Sequence, residues 1–207
     1  MKRRIPEIEM KLFALAAASA LSACTAAGAP DAGGAAPNVA EAMCRMGFQA
    51  IPMRSLMSGH HIVEGTLNGK AATFAVDTGA GMSVLHAPYG ATYLGKATST
   101  ASGIAIGAGG QTSLSQYPVQ ELTIAGSATG LKHIVAVDIA TVVEALQGIA
   151  GKPIHGIIGQ DVMRAQHALV DVQQSVLYLR PADGKAPVRT AAECAKAGTA
   201  KGADKGR

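Results

Sequence analysis

The sequence predicts a small all-β domain, built like a barrel with one or two short helices, over residues 55–181. Three observations predict this fold. Short apolar runs rich in Val and Ile recur between Gly and Asn turn signals. Charged residues make up only 15% of the chain and aromatic residues only 3%, so the core is built from small and β-branched side chains. A chain of 207 residues has room for one such domain and hardly for two.

The elements follow from the apolar runs and the turn residues between them. Asn68-Gly69 is a strong two-residue hairpin signal between the first two strands. A glycine-rich tip at 107–110 predicts a long hairpin suited to a mobile cover. The predicted strands are 61–67, 71–76, 83–85, 103–106, 112–119, 121–124, 132–137, 154–158, 168–172 and 176–179. The predicted helices are a short one within 41–50, one at 139–147 capped by Asp138 and ending near Gly148, and one at 160–167.

The N-terminus has the features of an export signal. Four basic residues precede or join a short apolar run at 12–20, which is too short to span a bilayer as a helix of about 20 residues. The exit Leu21-Ser22-Ala23-Cys24 resembles a bacterial lipobox, which implies removal of residues 1–23 and diacylation of Cys24. Two acyl chains are what stable anchoring needs. The alternative is an ordinary signal peptide with a chance cysteine.

A lipobox implies a protein of the cell envelope, anchored on the periplasmic side. Thr25 after the lipid cysteine favours the outer membrane if the cell is Gram-negative. Residues 24–54 then form a lipidated linker with the short helix, and residues 182–207 a flexible basic tail. Loss of residues 1–23 lowers the net charge from +4 to +2, so the basic balance is no evidence for a nucleic-acid partner.

Two cysteines remain once Cys24 is lipidated. Cys44 and Cys194 flank the predicted domain, and an even pair in an oxidising compartment favours a disulfide. The alternative is two separate thiols in flexible flanks.

The segment with the clearest chemistry is 73–80, in which an apolar run delivers Asp77 onto a tight Thr78-Gly79 turn. About eighty residues later, Ile157-Ile158-Gly159 forms a second apolar run that ends in glycine. Together the two segments resemble one half of the active site of the retropepsin-like aspartic proteases. The resemblance extends over residues 60–180 in order and spacing.

The resemblance implies an aspartic endopeptidase that acts on extended peptides without metal or cofactor. It implies that Asp77, Thr78 and Gly79 are catalytic, with the Thr78 hydroxyl bracing the loop. One Asp-Thr-Gly per chain further implies a homodimer with Asp77 from each protomer on a two-fold axis. The implied substrate-binding residues are Ala80, Gly81, Met82, Ile106, Gly107, Ala108, Gly109 and Gly110, and the implied structural second motif is Ile157, Ile158 and Gly159.

The chain departs from the retroviral pattern at two positions. Gly81-Met82 stands where retroviral enzymes carry two Asp, and Gln160 stands where they carry the Arg that pairs with the first of them. An apolar, uncharged pocket is therefore expected beside Met82. Asp161 is expected to cap the last helix and Asp171 to lie on the polar side of a strand, so neither is expected to complete an acid pair within one chain.

Other chemistries have weaker support. His60-His61 has no accompanying His, Cys, Asp or Glu at metal-ligand spacing, and both are expected to be solvent or loop histidines. The glycine tip at 107–110 lacks the context of a phosphate loop. The alternative to an enzyme is a non-catalytic lipoprotein that keeps the barrel as a peptide-binding or assembly module.

Overall fold

The computed structural model describes residues 39–95, 102–107, 110–181 and 189–197. The strands are β1 (Gln49–Pro52), β2 (Arg54–Ser55), β3 (His61–Leu67), β4 (Lys70–Val76), β5 (Val84–His86), β6 (Ser102–Gly107), β7 (Gly110–Pro118), β8 (Leu122–Ile124), β9 (Ser127–Ala128), β10 (His133–Val137), β11 (Gly156–Ile158), β12 (Leu169–Asp171) and β13 (Val176–Leu179). The helices are α1 (Val39–Arg45), a 3-10 turn (Ala87–Tyr89), α2 (Gly90–Leu94), α3 (Ala140–Ala150), α4 (Gln160–Ala165) and α5 (Ala191–Ala197). The predicted all-β barrel is confirmed in a coarser form, since the described part is mostly β-sheet, with a half-barrel and a few short helices.

Two sheets make up the described part. Nine strands of the larger sheet follow the order β6-β7-β10-β5-β11-β4-β3-β8-β9, and β2 joins beside β3. The smaller sheet has the order β1-β13-β12. Most pairs are antiparallel, but β11 runs parallel to β4 and β10 runs parallel to β5. These parallel pairs bring the ends of strands that are far apart in sequence to the same edge of the sheet.

The hairpin β3–β4 turns at Asn68-Gly69 as predicted. Both residues have positive φ, 50° and 77°, which is the backbone of a type I′ turn. The turn sets the register, in which Leu67 faces Lys70 and, at the far end, His61 faces Val76. The side-chain oxygen of Asn68 accepts hydrogen bonds from the backbone of Gln120 and Glu121, which fixes the turn to the next loop.

Strands β4 and β11 are buried on both faces. Phe74 and Ile158 belong to the main core cluster, whereas Ala75 and Ile157 pack on the opposite face into a second cluster. A strand covered on both sides has no polar face, which explains why these segments are continuous apolar runs in the sequence. The residue that ends such a strand is therefore held by packing from two directions.

Helix α3 forms the second core cluster with these strands. Val143 and Leu146 are buried against Ala75 and Ile157. Asp138 accepts a hydrogen bond from the backbone of Ala140 (3.0 Å), close to the predicted cap. The helix does not end near Gly148 as predicted. It continues to Ala150 and ends at Gly151, which has φ of 67°, because only there does the backbone take the left-handed form that stops a helix.

The predicted domain boundaries differ from the structure at both ends. Strand β1 lies before residue 55, pairs with β13 and places Ile51 in the main core. The predicted tail 182–207 contains α5, whose Cys194 is fully buried. Both β1 and α5 therefore pack with the domain, because they bury apolar side chains that a linker and a tail would expose.

Cys44 of α1 and Cys194 of α5 form a disulfide across a sequence separation of 150 residues. Arg189 strengthens the same corner by donating to the carbonyl oxygen of Phe48 (3.2 Å). Cys24 and the export signal lie outside the described residues. Among the residues described, no helix has the length and apolar character needed to cross a membrane.

Loss of the disulfide should destabilise the domain. We expect the double variant Cys44→Ser/Cys194→Ser to lose on the order of 4–5 kcal/mol of unfolding free energy, because the unfolded chain regains the entropy of a very long loop. Urea unfolding with and without reductant measures this. Reductant should lower the stability of the native protein to that of the variant and leave the variant unchanged; equal stability of both proteins in oxidising buffer would contradict the role.

Candidate active site

Asp77 is the first residue after β4, at the edge where β4 and β11 end side by side. Val76 and Ile158 are register partners in the parallel pair, and the backbone N–H of Asp77 donates to the carbonyl oxygen of Ile158 (3.1 Å). The Asp77 residue is exposed although both strands beneath it are buried. The fold thus presents a carboxylate to solvent from a rigid base.

The turn after Asp77 is closed by its own carboxylate. The Gly79 N–H donates to Asp77 Oδ1 (2.8 Å), and the Ala80 N–H donates to the Asp77 carbonyl oxygen (3.2 Å). These bonds set the direction of the carboxylate and leave Oδ2 for other partners. A Cβ at position 79 would lie 3.2 Å from Asp77 Oδ1, so glycine suits this turn.

Gln160 braces the loop from the opposite side. Its backbone N–H donates to the Ala80 carbonyl oxygen (2.8 Å), and its side-chain amide donates to the Thr78 carbonyl oxygen (2.8 Å). Arg164 donates to Gln160 Oε1 and so fixes which end of the amide faces the loop. The expected brace was the Thr78 hydroxyl, but within the described part of the chain that hydroxyl has no hydrogen-bond partner. The loop is held through its carbonyl groups.

Gly159 and Asp161 connect the second motif to the same loop. The Gly159 N–H donates to Ser83 Oγ (3.0 Å), and the Ser83 hydroxyl donates to Asp161 Oδ1 (2.6 Å). Asp161 also accepts the Ser83 backbone N–H (2.9 Å). The expectation that Asp161 serves mainly as a helix cap was therefore incomplete. Gly159 occupies the N-cap position of α4, and the carboxylate joins α4 to the segment after the Asp77 turn.

His155 supports the middle of β4. Its backbone N–H donates to the Thr73 carbonyl oxygen (2.8 Å), and its Nδ1 accepts the Thr73 N–H (3.0 Å). The imidazole packs against the Tyr89 and Tyr93 rings at centroid distances of 4.6 and 5.3 Å. Burial lowers the pKa of His155, with the Glu64 carboxylate acting in the opposite direction. Burial also raises the pKa of Tyr93. A neutral imidazole keeps Nδ1 available to the strand that carries Asp77.

A cleft of about 260 Å³ opens beside Asp77 and Thr78. Its apolar lining comes from both core strands, from α3 and from the small sheet, and its polar lining includes two adjacent histidines. The residues that line the cleft include Ala75, Val142, Leu146, Ile157, Val170, Val172, His60 and His61.

The two histidines were expected to be solvent or loop residues. His60 is exposed in the loop before β3, as expected, whereas His61 is the first residue of β3, and both line this cleft. The register of the β3–β4 hairpin indicates this position of the histidines. Counting back from the Asn68-Gly69 turn pairs His61 with Val76, so His60 comes opposite Asp77. Among the described residues, no group of three or more His, Cys, Asp or Glu is arranged to hold a metal ion.

The other predicted site residues fall into three groups. Ile157 lines the cleft, whereas Ile158 and Gly159 lie behind the loop. Met82 is 48% exposed and is not part of the lining of this cleft, which is formed beside α3. Ile106, Gly107 and Gly110 lie on the β6–β7 hairpin, while Ala108 and Gly109 lie outside the described residues.

Comparison with known proteins agrees with this geometry. Residues 63–162 match the family model described as aspartyl protease. The match includes Asp77, the hairpin β6–β7 and Gly159, so this part of the chain is similar to the aspartyl protease family.

Solved structures that are similar to this chain include the crystal structure of a retropepsin-like aspartic protease from Rickettsia conorii. It is 17% identical in sequence, with a TM-score of 0.44, and the alignment covers 63% of this chain and 98% of that one. No curated protein matches the sequence.

Gly159 should tolerate no side chain. A Cβ there would lie 2.5 Å from the carbonyl oxygen of Met82 and 2.8 Å from that of Ala80. We expect Gly159→Ala to lower the unfolding free energy by about 1–3 kcal/mol, because the loop must move to admit the methyl group. The matched control is Gly81→Ala, where nothing lies within 4 Å, and denaturant unfolding of both variants decides. A Gly159→Ala protein as stable as the control would be evidence against the close packing.

Gln160→Glu should loosen the Asp77 loop without unfolding the domain. A carboxylate cannot donate to the Thr78 carbonyl oxygen and is drawn to Arg164. We expect amide hydrogen exchange at Gly79 and Ala80 to accelerate about tenfold, the equivalent of one lost hydrogen bond. Gln173→Glu, on an exposed turn, is the matched control. Unchanged exchange in Gln160→Glu would show that the side chain does not hold the loop.

Proposed function

We propose that this protein is an aspartic-type endopeptidase. The observation that carries the proposal is the Asp77 carboxylate, exposed at the end of a doubly buried strand and oriented by the Gly79 N–H, at the rim of a cleft. The similarity of residues 63–162 to the aspartyl protease family supports a hydrolase of this kind.

The chemistry needs a second carboxylate. Hydrolysis without a covalent intermediate requires one group to take a proton from water and another to protonate the carbonyl oxygen of the peptide. Two carboxylates about 3 Å apart share one proton, since both cannot be ionised together, and so supply an acid and a base at once.

The second carboxylate comes from a second copy of the chain. The two aspartates that follow the second motif, Asp161 and Asp171, are engaged within one protomer. Asp161 is bonded to Ser83, and Asp171 accepts the Gln174 N–H (2.9 Å). In a homodimer, Asp77 of each protomer would meet on the two-fold axis.

The small sheet offers an edge for such a dimer. Strand β12 pairs with β13 on one side, and its other edge is unpaired among the described residues. Val172, just beyond β12, is 64% exposed, and both it and Val170 line the cleft beside Asp77. An unpaired edge with apolar neighbours favours pairing with another strand. This arrangement supports a dimer that covers the exposed Asp77-Thr78-Gly79 turn.

Substrate would bind as an extended strand. The β6–β7 hairpin is suited to close over a peptide in the cleft, with main-chain hydrogen bonds serving any sequence and side-chain pockets selecting among them. The implied contacts at Ala80, Gly81, Met82 and residues 106–110 are part of this proposal.

The site of action would be the cell envelope. A diacylated Cys24 would tether the domain to the membrane, and the Cys44–Cys194 disulfide suits the oxidising periplasmic side. Tethering confines protomers to a surface and raises their encounter rate, which favours a weak dimer.

Asp77→Asn should abolish peptide cleavage, by at least about a hundredfold, because an amide cannot exchange the proton. Cleavage of a peptide library by the chain from residue 38 onward measures this, and Asp171→Asn is the carboxylate control. Cleavage by the Asp77→Asn variant at the native rate would contradict the proposed endopeptidase mechanism.

The same variant tests the dimer. Mixed at fivefold excess with the native protein, Asp77→Asn protomers should lower its activity severalfold, since most native protomers would pair with an inactive partner. Undiminished activity would show that one protomer suffices. A protein that binds peptides equally well with Asp or Asn at position 77, without turnover from acidic to neutral pH, would be a peptide-binding module.

A further inference from the structure

Resting on the proposed function, we propose that the cleft beside Asp77 selects substrates with tyrosine next to the scissile bond. The side chain it accepts is an aromatic ring that ends in a hydroxyl. The pair His60 and His61 recognises the hydroxyl, and helix α3 forms the wall against which the ring packs.

The size and the walls of the cleft fit a ring. A cavity of about 150 Å³ lined by aliphatic side chains is large enough for benzene, and this cleft has about 260 Å³. The small side chain of Ala75 leaves room at the base of the cleft, while Ile157 and Leu146 provide aliphatic surface. A ring with one polar substituent fits this space.

The histidines add hydrogen-bonding capacity to that apolar surface. Nδ1 of His60 is bonded to Ser58 Oγ (3.0 Å), and Nε2 of His61 lies at 3.5 Å from Ser175 Oγ. Each imidazole therefore has one ring nitrogen without a hydrogen-bond partner in the described part of the chain. A neutral imidazole presents that nitrogen as a donor or as an acceptor, according to its tautomer. A phenol hydroxyl both donates and accepts, so it can bond to either form.

Helix α3 determines which side chains fit, because it is held in place from behind. Leu146 is buried in the second core cluster and faces the cleft, so this part of the wall cannot move aside without disturbing the core. Val142, one turn earlier, is 40% exposed and lines the same wall. A substitution at Val142 changes the cleft without removing core packing.

The helix also supplies a matched control. Ile149 is 42% exposed, lies on the same helix and is not part of the cleft lining. Val142→Asp and Ile149→Asp add the same charge at equally exposed positions, and only the first places it against the bound ring.

The experiment uses labelled ten-residue peptides that differ only at the central position, which is Tyr, Phe, Leu or Glu. Cleavage is followed with the native protein, and binding is followed by fluorescence anisotropy with Asp77→Asn. We expect Tyr to exceed Phe by about threefold to tenfold in both measurements, the effect of one added hydrogen bond. His60→Leu/His61→Leu should bring the ratio close to one, whereas His133→Leu, an exposed histidine on β10, should leave it unchanged.

Val142→Asp should weaken binding of the Tyr and Phe peptides about tenfold or more, and Ile149→Asp should not. Circular dichroism and thermal unfolding confirm that each variant is folded. Three results would overturn the inference. The four peptides could be cleaved and bound equally well, the Tyr:Phe ratio could persist without both histidines, or the two Asp variants could weaken binding equally. Preference for Glu would show instead that the histidines bind an anion.

The results separate this inference from the proposed function. If the protein binds the Tyr peptide selectively but cleaves none of the peptides, the proposed tyrosine selectivity is supported and the proposed endopeptidase activity is contradicted. If the protein cleaves the peptides without preference for Tyr, the endopeptidase activity is supported and the tyrosine selectivity of the cleft is contradicted.

Discussion

The parallel pairing of β4 with β11 is the constraint on which the site depends. It brings Asp77 and Gly159, 82 positions apart in the sequence, to one edge of the sheet. Every bond that holds the Asp77 loop from outside crosses this junction: Gln160 to the Thr78 and Ala80 carbonyls, and Gly159 through Ser83 to Asp161. Gly159 lacks a side chain because the Met82 carbonyl group occupies that space. A shift of one strand against the other would break all of these contacts together.

The same two strands connect the core to the cleft. Because β4 and β11 are buried on both faces, one face packs into the main core and the other receives α3. The cleft is the open end of that second layer, so its walls share residues such as Leu146 and Ile157 with the core. Surfaces built in this way are well ordered before a ligand arrives, which lowers the entropy lost on binding.

The ends of the domain are organised around the small sheet. Strand β1 covers one edge of β13, and β12 covers the other, leaving the outer edge of β12 next to the cleft. The disulfide between α1 and α5 links the segments that lead into and follow this sheet. Covalent closure compensates for a core with few aromatic residues, in which each buried side chain contributes little area.

Local pattern alone was enough for several parts of the molecule. The Asn68-Gly69 turn, the apolar run that ends at Asp77 and the second run that ends at Gly159 were all readable, because turn chemistry and double burial leave a direct trace in residue type. The hairpin register even placed His60 and His61 near Asp77, although the histidines were interpreted as solvent residues. Other features depend on packing between distant segments. Three such features are the pairing of β1, the bracing of the loop by Gln160 and the contribution of α3 to the cleft. They leave no local pattern, because the residue type of an amide or a valine is the same whether it faces solvent or a neighbouring loop. Residue type and spacing alone identify the carboxylate and the kind of turn that presents it. The groups around that carboxylate follow from the fold, because strand pairing between distant segments sets those contacts.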